Sequence, residues 1–298
     1  MKHFRHRLEY AAFRLLAFFV NLLPESLFYA LARTFGWLAF HLFRVRRAVT
    51  LSNLELAFGA TMSEAQRRRL AARAYRHIAM TMFEVLRPRK IAARLNSMVA
   101  MDDLPVLREI MARGKGVILV SCHCGGWELT GASVAACGPP PTVVAATMSN
   151  PYVDRYVNAF RRALGMEMLP LTASAKELVR VLRKRQAIGL ISDQNAGPHG
   201  VFVDFFGLAA STPRGAAQLG LKFKTPLLVT VALRTAPGRY RNVMREVEVH
   251  DDDTVESLTQ RYTTIMEEII RSHPEQYFWM HRRWKTRPAG ESGVSGGR

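Results

Sequence analysis

Cysteine is scarce, with three in 298 residues. Three thiols cannot build the disulfide framework of a small secreted domain, so a reducing, cytosol-facing setting is expected. Acidic residues are also few, 24 against 42 lysines and arginines, which leaves a net charge of +18. A surplus of that size implies an anionic partner: nucleic acid, a membrane surface, a phosphorylated substrate or an acidic protein. No clean run of about 20 apolar residues occurs, so no confident transmembrane helix can be drawn. Gly-rich nucleotide loops and metal-ligand sets are missing too, and neither a cofactor nor a metal is expected. What is abundant is apolar material, 49% of residues, which excludes a disordered basic tail or a low-complexity chain.

Much of that apolar material lies at the start. Tyr10 to Leu23 is broken only by Arg14 and Asn21, and the greasy stretch Leu27 to Phe43 is broken by Arg33 and Gly36. Basic residues flank both stretches: Lys2, Arg5 and Arg7 before, Arg44, Arg46 and Arg47 after. Such a pattern fits one imperfect membrane span or two helices lying in the interface, with arginines reaching headgroups; a buried hairpin of a soluble domain is the plainer alternative. No small-residue cleavage site follows the first stretch, which argues against a signal peptide. The basic flanks orient the body towards the cytoplasm. A second basic segment opens at Ser63-Glu64, a helix N-cap, and carries Arg67, Arg68, Arg69, Arg73 and Arg76, then Arg87, Arg89, Lys90 and Arg94. It is a solvated helix face, a surface held against anionic lipid, or both.

From Gly114 the pattern changes. Short apolar strands are expected over 116–121, 142–147, 187–192 and 227–233, alternating with helices over 154–164, 175–185 and 255–272. This alternation predicts a single α/β domain with a central, mostly parallel sheet flanked by helices. The expected boundaries are a membrane-associating helical segment over 1–50, the α/β domain over 51–290 and a disordered tail over 291–298. Chemistry in such sheets gathers just past the carboxyl ends of strands, where His123 and Asp193 both fall.

His123 and Glu128 are five residues apart, which on one helix turns through about 500° and puts them on different faces. With His123 in the loop and Glu128 in the first helical turn, Gly125 and Gly126 permit the bend that brings them together. A carboxylate on one imidazole nitrogen fixes the tautomer and makes the other nitrogen a base for an alcohol proton. A solvated Glu beside a satisfied loop histidine is the alternative. Cys122 and Cys124 do not complete a zinc site, and an extended chain points Cys124 away from His123, so both read as small hydrophobes.

The block His123-Cys-Gly-Gly-Trp-Glu128 resembles the His-x4-Asp/Glu block of glycerolipid-type acyltransferases. The segments 193–207 (Asp-Gln-Asn-Ala-Gly-Pro-His-Gly-Val-Phe-Val-Asp-Phe-Phe-Gly) and 274–288 (Pro-Glu-Gln-Tyr-Phe-Trp-Met-His-Arg-Arg-Trp-Lys-Thr-Arg-Pro) resemble further blocks of one branch, the lipid A biosynthesis (lauroyl/myristoyl) acyltransferases. The resemblance implies transfer of an acyl chain from a thioester, on acyl carrier protein, to a hydroxyl of a phosphorylated glycolipid at the inner membrane. It implies His123 as general base supported by Glu128, and Arg161, with Arg162 as fallback, as the cation for the developing oxyanion. Asp193, beside Gln194 in the expected substrate site, either orients Arg161 or the acceptor, or caps a turn. Arg282 and Arg283 either grip an acceptor phosphate or form a structural Arg/Trp stack. The run 201–207 is expected as a hydrophobic wall for the acyl chain, and 211–215 as a helix N-cap. A non-catalytic protein binding membrane surfaces or nucleic acid is the rival from another class; basic residues interleaved with stacking aromatics in a recognised module would mark nucleic-acid binding, and none occurs.

Overall fold

A computed structural model describes residues 2–288 and 290; the expected tail over 291–298 lies outside them. Five helices come first: α1 (Lys2–Leu22), α2 (Glu25–His41), α3 (Arg47–Phe58), α4 (Glu64–Glu84) and α5 (Pro88–Met98). Then follow β1 (Val99–Ala100), α6 (Leu104–Ala112), β2 (Val117–Ser121), α7 (Trp127–Ala135), β3 (Thr142–Ala145), α8 (Pro151–Ala163), β4 (Glu167–Pro170), α9 (Ala175–Arg183) and β5 (Ala187–Ile191). The rest comprises β6 (Val201–Phe205), β7 (Leu208–Thr212), α10 (Gly215–Phe223), β8 (Leu227–Ala236), β9 (Arg239–Val247) and α11 (Val255–Ser272).

Seven strands form one sheet in the order β1-β9-β8-β2-β5-β3-β4, parallel at every pairing except the β8–β9 hairpin. The expected mostly parallel α/β architecture is present. β2 is buried along its whole length, as a central strand covered on both faces must be. The run 201–207 does something different from the wall expected for it. It forms β6 of a separate hairpin with β7, and Phe205 and Phe206 pack on Trp279 and Trp284 in the main core. Aromatics of this size are held by burial against one another, away from the cavity described below. Ser211 and Thr212 are likewise fully buried strand residues; α10 starts after them, at Gly215, without a side-chain cap.

The amino-terminal helices pack on the body. Ala17, Val20, Phe28, Tyr29 and Ala32 share a core with Met80, Phe83 and Leu86 at the end of α4. α2 crosses α4 closely because Gly36 has no Cβ; one would lie 2.5 Å from the Tyr75 carbonyl oxygen. The helix start expected at Ser63 is a capping box, with Gln66 N–H donating to Ser63 Oγ (3.3 Å) and Ser63 N–H to Gln66 Oε1 (2.7 Å). Part of the second basic segment is structural: Arg87 is buried and donates to the carbonyls of Val20 and Leu23, while Lys90 donates to Asn21 O and Arg94 pairs with Glu25. These three hold the α1–α2 turn, a place set by tertiary packing. Exposed large hydrophobics concentrate on the outer side of α1 and α2 and the turn after them, including Phe4, Phe18, Phe19, Trp37, Leu42 and Phe43. Among the described residues no helix is long and apolar enough to cross a membrane.

Candidate active site

The site is assembled by strand register. β2 and β5 are parallel neighbours with Ser121 opposite Ile191, so the residues two positions past each strand, His123 and Asp193, emerge side by side. Asp193 Oδ1 lies 2.8 Å from His123 Nδ1, and Asp193 Oδ2 accepts the His123 backbone N–H at 3.0 Å. The carboxylate is almost wholly buried, at 2% side-chain exposure against 23% for the imidazole. Burial opposes charge on both groups, yet their mutual attraction wins: the His123 pKa is raised and the Asp193 pKa lowered. Nδ1 held in this way leaves Nε2 as the basic nitrogen.

Glu128 is not the partner of His123. Arg161, from the last turn of α8, grips its carboxylate through two hydrogen bonds, Nε to Oε2 (2.8 Å) and Nη2 to Oε1 (2.7 Å). A planar guanidinium matches both oxygens at once, and Asp193 already occupies Nδ1, so the expected His123–Glu128 bond is not made. Burial alone would lower the Arg161 pKa, but Glu128 outweighs it and the net shift is upward. Arg161 also reaches Asn158 Oδ1 at 3.3 Å.

The loop between β2 and α7 depends on Gly125. Its φ of +61° is left-handed, and a Cβ would lie 2.1 Å from the Ala232 carbonyl oxygen. Gly125 N–H donates to Gln276 O (3.0 Å) and Gly126 N–H to Ala232 O (2.8 Å), which pins the loop to the segment after α11 and to β8. Two residues of the closing segment hold the site from the other side. Phe278 N–H donates to His123 O at 2.9 Å, and its ring lies 6.1 Å from the imidazole. His281 Nε2 accepts the Asn195 N–H at 3.0 Å; burial, ahead of nearby charges, lowers its pKa to about 4, so it stays neutral. Neither residue was singled out individually from sequence, since their contacts span more than 80 positions.

A cavity of about 710 Å³ opens beside these groups. His123, Glu128, Arg161 and Gln194 line it, and its body is mostly apolar, with Leu119, Val143, Val144, Met166, Leu171 and Leu190. Such a volume and lining fit an aliphatic chain entering from a polar mouth. Three expected site residues lie elsewhere. Arg162 is exposed and outside the cavity lining, as is Arg282. Arg283 is buried in the core, donating to Ser211 O and Thr212 Oγ1 over the Phe205 ring, which leaves it unavailable to a phosphate. Cys122 and Cys124 are fully buried, consistent with small hydrophobes.

Comparison of the sequence with known proteins gives a family match over nearly the whole chain. The model of bacterial lipid A biosynthesis acyltransferases covers residues 1–286. The chain belongs to that family. It is an acyltransferase. It is similar to the lipid A biosynthesis lauroyltransferase of Escherichia coli K12, 28% identical over 276 residues, 90% of this chain and 88% of the relative. It is also similar to the lipid A biosynthesis palmitoleoyltransferase of the same organism, 27% identical over 281 residues, 91% and 89% of the two chains. A phosphatidylinositol mannoside acyltransferase of Mycolicibacterium smegmatis is 27% identical over 195 residues, 64% of each chain. The acyltransferase family therefore shares the whole length that carries the cavity and the His123 and Arg161 pairs.

Proposed function

We propose that this acyltransferase moves a fatty acyl chain from a thioester on acyl carrier protein to a hydroxyl of a phosphorylated glycolipid, a lipid A precursor. The observation that carries the proposal is the buried Asp193–His123 pair beside the Glu128–Arg161 pair at the mouth of a largely apolar cavity. The acyl chain lies in the cavity. His123 Nε2 removes the acceptor hydroxyl proton as the oxygen attacks the thioester carbonyl, and Asp193 stabilises the imidazolium that forms. Arg161, held by Glu128, supplies positive charge to the developing oxyanion. The C–S bond then breaks, and the leaving thiolate takes the proton back from His123. No bond forms between enzyme and acyl group. Gln194 serves the acceptor.

The exposed apolar side chains of α1 and α2, with their basic flanks, support a location on the anionic inner membrane, with the catalytic body on its cytoplasmic side. Beside that apolar surface, the net charge of +18 reads as attraction to anionic lipid and an acidic carrier protein. The test is transfer of a labelled lauroyl group from acyl carrier protein to a purified lipid A precursor. His123→Ala is expected to abolish it; transfer at the wild-type rate refutes the mechanism. The similarity to a phosphatidylinositol mannoside acyltransferase supports a second acceptor class, a mannosylated phospholipid. Mass spectrometry of lipids from a deletion strain separates the two by which lipid loses an acyl chain.

A further inference from the structure

A second cleft lies on the carboxyl edge of the sheet, between α2, α4 and the end of β8. It has a volume of about 300 Å³, and Arg33, Arg73, Arg76, Arg234 and His77 line it. An adjoining groove of about 440 Å³ shares Arg33 and Arg76 and adds Trp37. No acidic residue lines either one. Among the described residues Arg33, Arg73 and Arg76 take part in no ion pair.

The Glu84 carboxylate behind the cleft is already engaged. Glu84 is buried and bonded by Arg234 Nη1 (2.6 Å), Tyr29 Oη (2.8 Å) and Tyr240 Oη (2.6 Å). Two buried atoms of lining residues have no partner: Arg234 Nε, on a side chain 2% exposed, and His77 Nδ1. Three guanidiniums gathered around a cleft without a counter-charge repel one another, and their arrangement is stabilised by an anion. Arginine binds phosphate with paired donors, so phosphate is the anion this set recognises best. Burial first, then the Arg234 and Arg73 charges, lowers the His77 pKa to about 4, in keeping with a positive field that an anion would relieve.

We propose that this arginine-lined cleft binds a phosphate group carried by a lipid headgroup. The lipid source follows from the neighbouring surface. Trp37, one helical turn from Arg33 and a lining residue of the adjoining groove, is large, apolar and exposed, and offers the acyl chains of such a lipid an adjacent surface. The cleft is separate from the acyl cavity, since the two share no lining residue. A short relay nevertheless joins it to the His123 loop: Arg234 Nη2 donates to Thr81 Oγ1 (2.9 Å), which donates to Gly125 O (3.0 Å). The inference goes beyond the acyl-transfer reading and does not rest on it.

The test is calorimetric titration of the full detergent-solubilised chain with dihexanoyl-phosphatidylglycerol and, separately, with inorganic phosphate. Wild type is expected to bind the lipid at least tenfold more tightly than phosphate. The triple variant Arg33→Gln, Arg73→Gln, Arg76→Gln is expected to lose at least tenfold in lipid affinity. A control that removes equal charge from α9, Arg180→Gln, Arg183→Gln, Lys184→Gln, is expected to bind as wild type. Circular dichroism melting checks that the triple variant folds; should it not, Arg33→Gln alone, on an exposed side chain, is expected to lose at least threefold. Equal lipid binding by wild type and the arginine variants overturns the proposal, as does an equal loss in the α9 control. Phosphate binding as tight as lipid binding overturns the lipid assignment.

Discussion

Replacing Asp193 with Asn tests the site at its most buried point. The carboxylate accepts two hydrogen bonds, from the His123 backbone at 3.0 Å and its Nδ1 at 2.8 Å, with the side chain 2% exposed. Asparagine keeps the shape but removes the charge that stabilises imidazolium, and its amide can present a donor to Nδ1 and impose the wrong tautomer. A loss of about 10²–10⁴-fold in kcat is expected, about 3–5 kcal/mol of transition-state stabilisation. KM for the donor should change little, because Asp193 does not line the acyl cavity. The pH profile gives an independent check. Asp193 outweighs burial and raises the His123 pKa, so wild-type activity declines on acidification through a value raised from the ordinary histidine one. Without Asp193 that acidic limb moves to lower pH. Stability follows the same signs. The raised His123 pKa contributes stability at low pH that is lost as pH rises through the folded value; the lowered Asp193 pKa contributes stability that is lost on acidification through its own. The assay is acyl transfer from acyl carrier protein between pH 5 and pH 9. Activity within threefold of wild type with an unmoved limb refutes Asp193 as the support of His123.

Glu128→Gln separates the two charge pairs. It weakens the hold on Arg161 without touching Nδ1, so kcat should fall about 10²-fold, while the acidic limb moves to lower pH by less than in Asp193→Asn, because Glu128 contributes less than Asp193 to the raised His123 pKa. Gly125→Ala forces a Cβ onto the Ala232 carbonyl at a left-handed φ, and a loss of about 2 kcal/mol or more in stability is expected from denaturant unfolding. Arg283→Ala leaves Thr212 Oγ1 without its donor in the core and Ser211 O with only the longer bond from the Ala196 N–H (3.3 Å). Its effect should be about 3 kcal/mol on stability with acceptor KM unchanged in the folded fraction, the reverse of what a phosphate-gripping arginine would show.

Local pattern made a good part of this protein legible. The apolar run that became β2 is continuous because a central parallel strand is buried on both faces, and that of β5 because its first two residues are buried and the next three line the apolar cavity. α11 matches its expected span, Val255–Ser272, since Thr254 caps its start and the apolar period is regular. His123 and Glu128 stand out by type and position and Arg161 by the family resemblance; with Gln194 they converge on one cavity. The charge pairing was not legible, because it depends on which strands are neighbours. Asp193 is seventy residues from His123 and reaches it only through the β2–β5 register. Glu128 is close in sequence, but α8 brings Arg161 to it first.

The cationic residues divide along the same line. The amino-acid sequence by itself established a net charge of +18, an apolar amino terminus and an α/β order of elements, because these follow from residue types and local periodicity. Which arginines are available to a ligand was decided by tertiary packing. Arg87 and Arg283 are buried on carbonyl oxygens, where each N–H withdrawn from water must find an acceptor. Arg161 is held by a carboxylate at the cavity mouth, while Arg33, Arg73 and Arg76 meet over a cleft with no acid to neutralise them. A guanidinium carries the same charge in all these places; only the fold determines what stands opposite it.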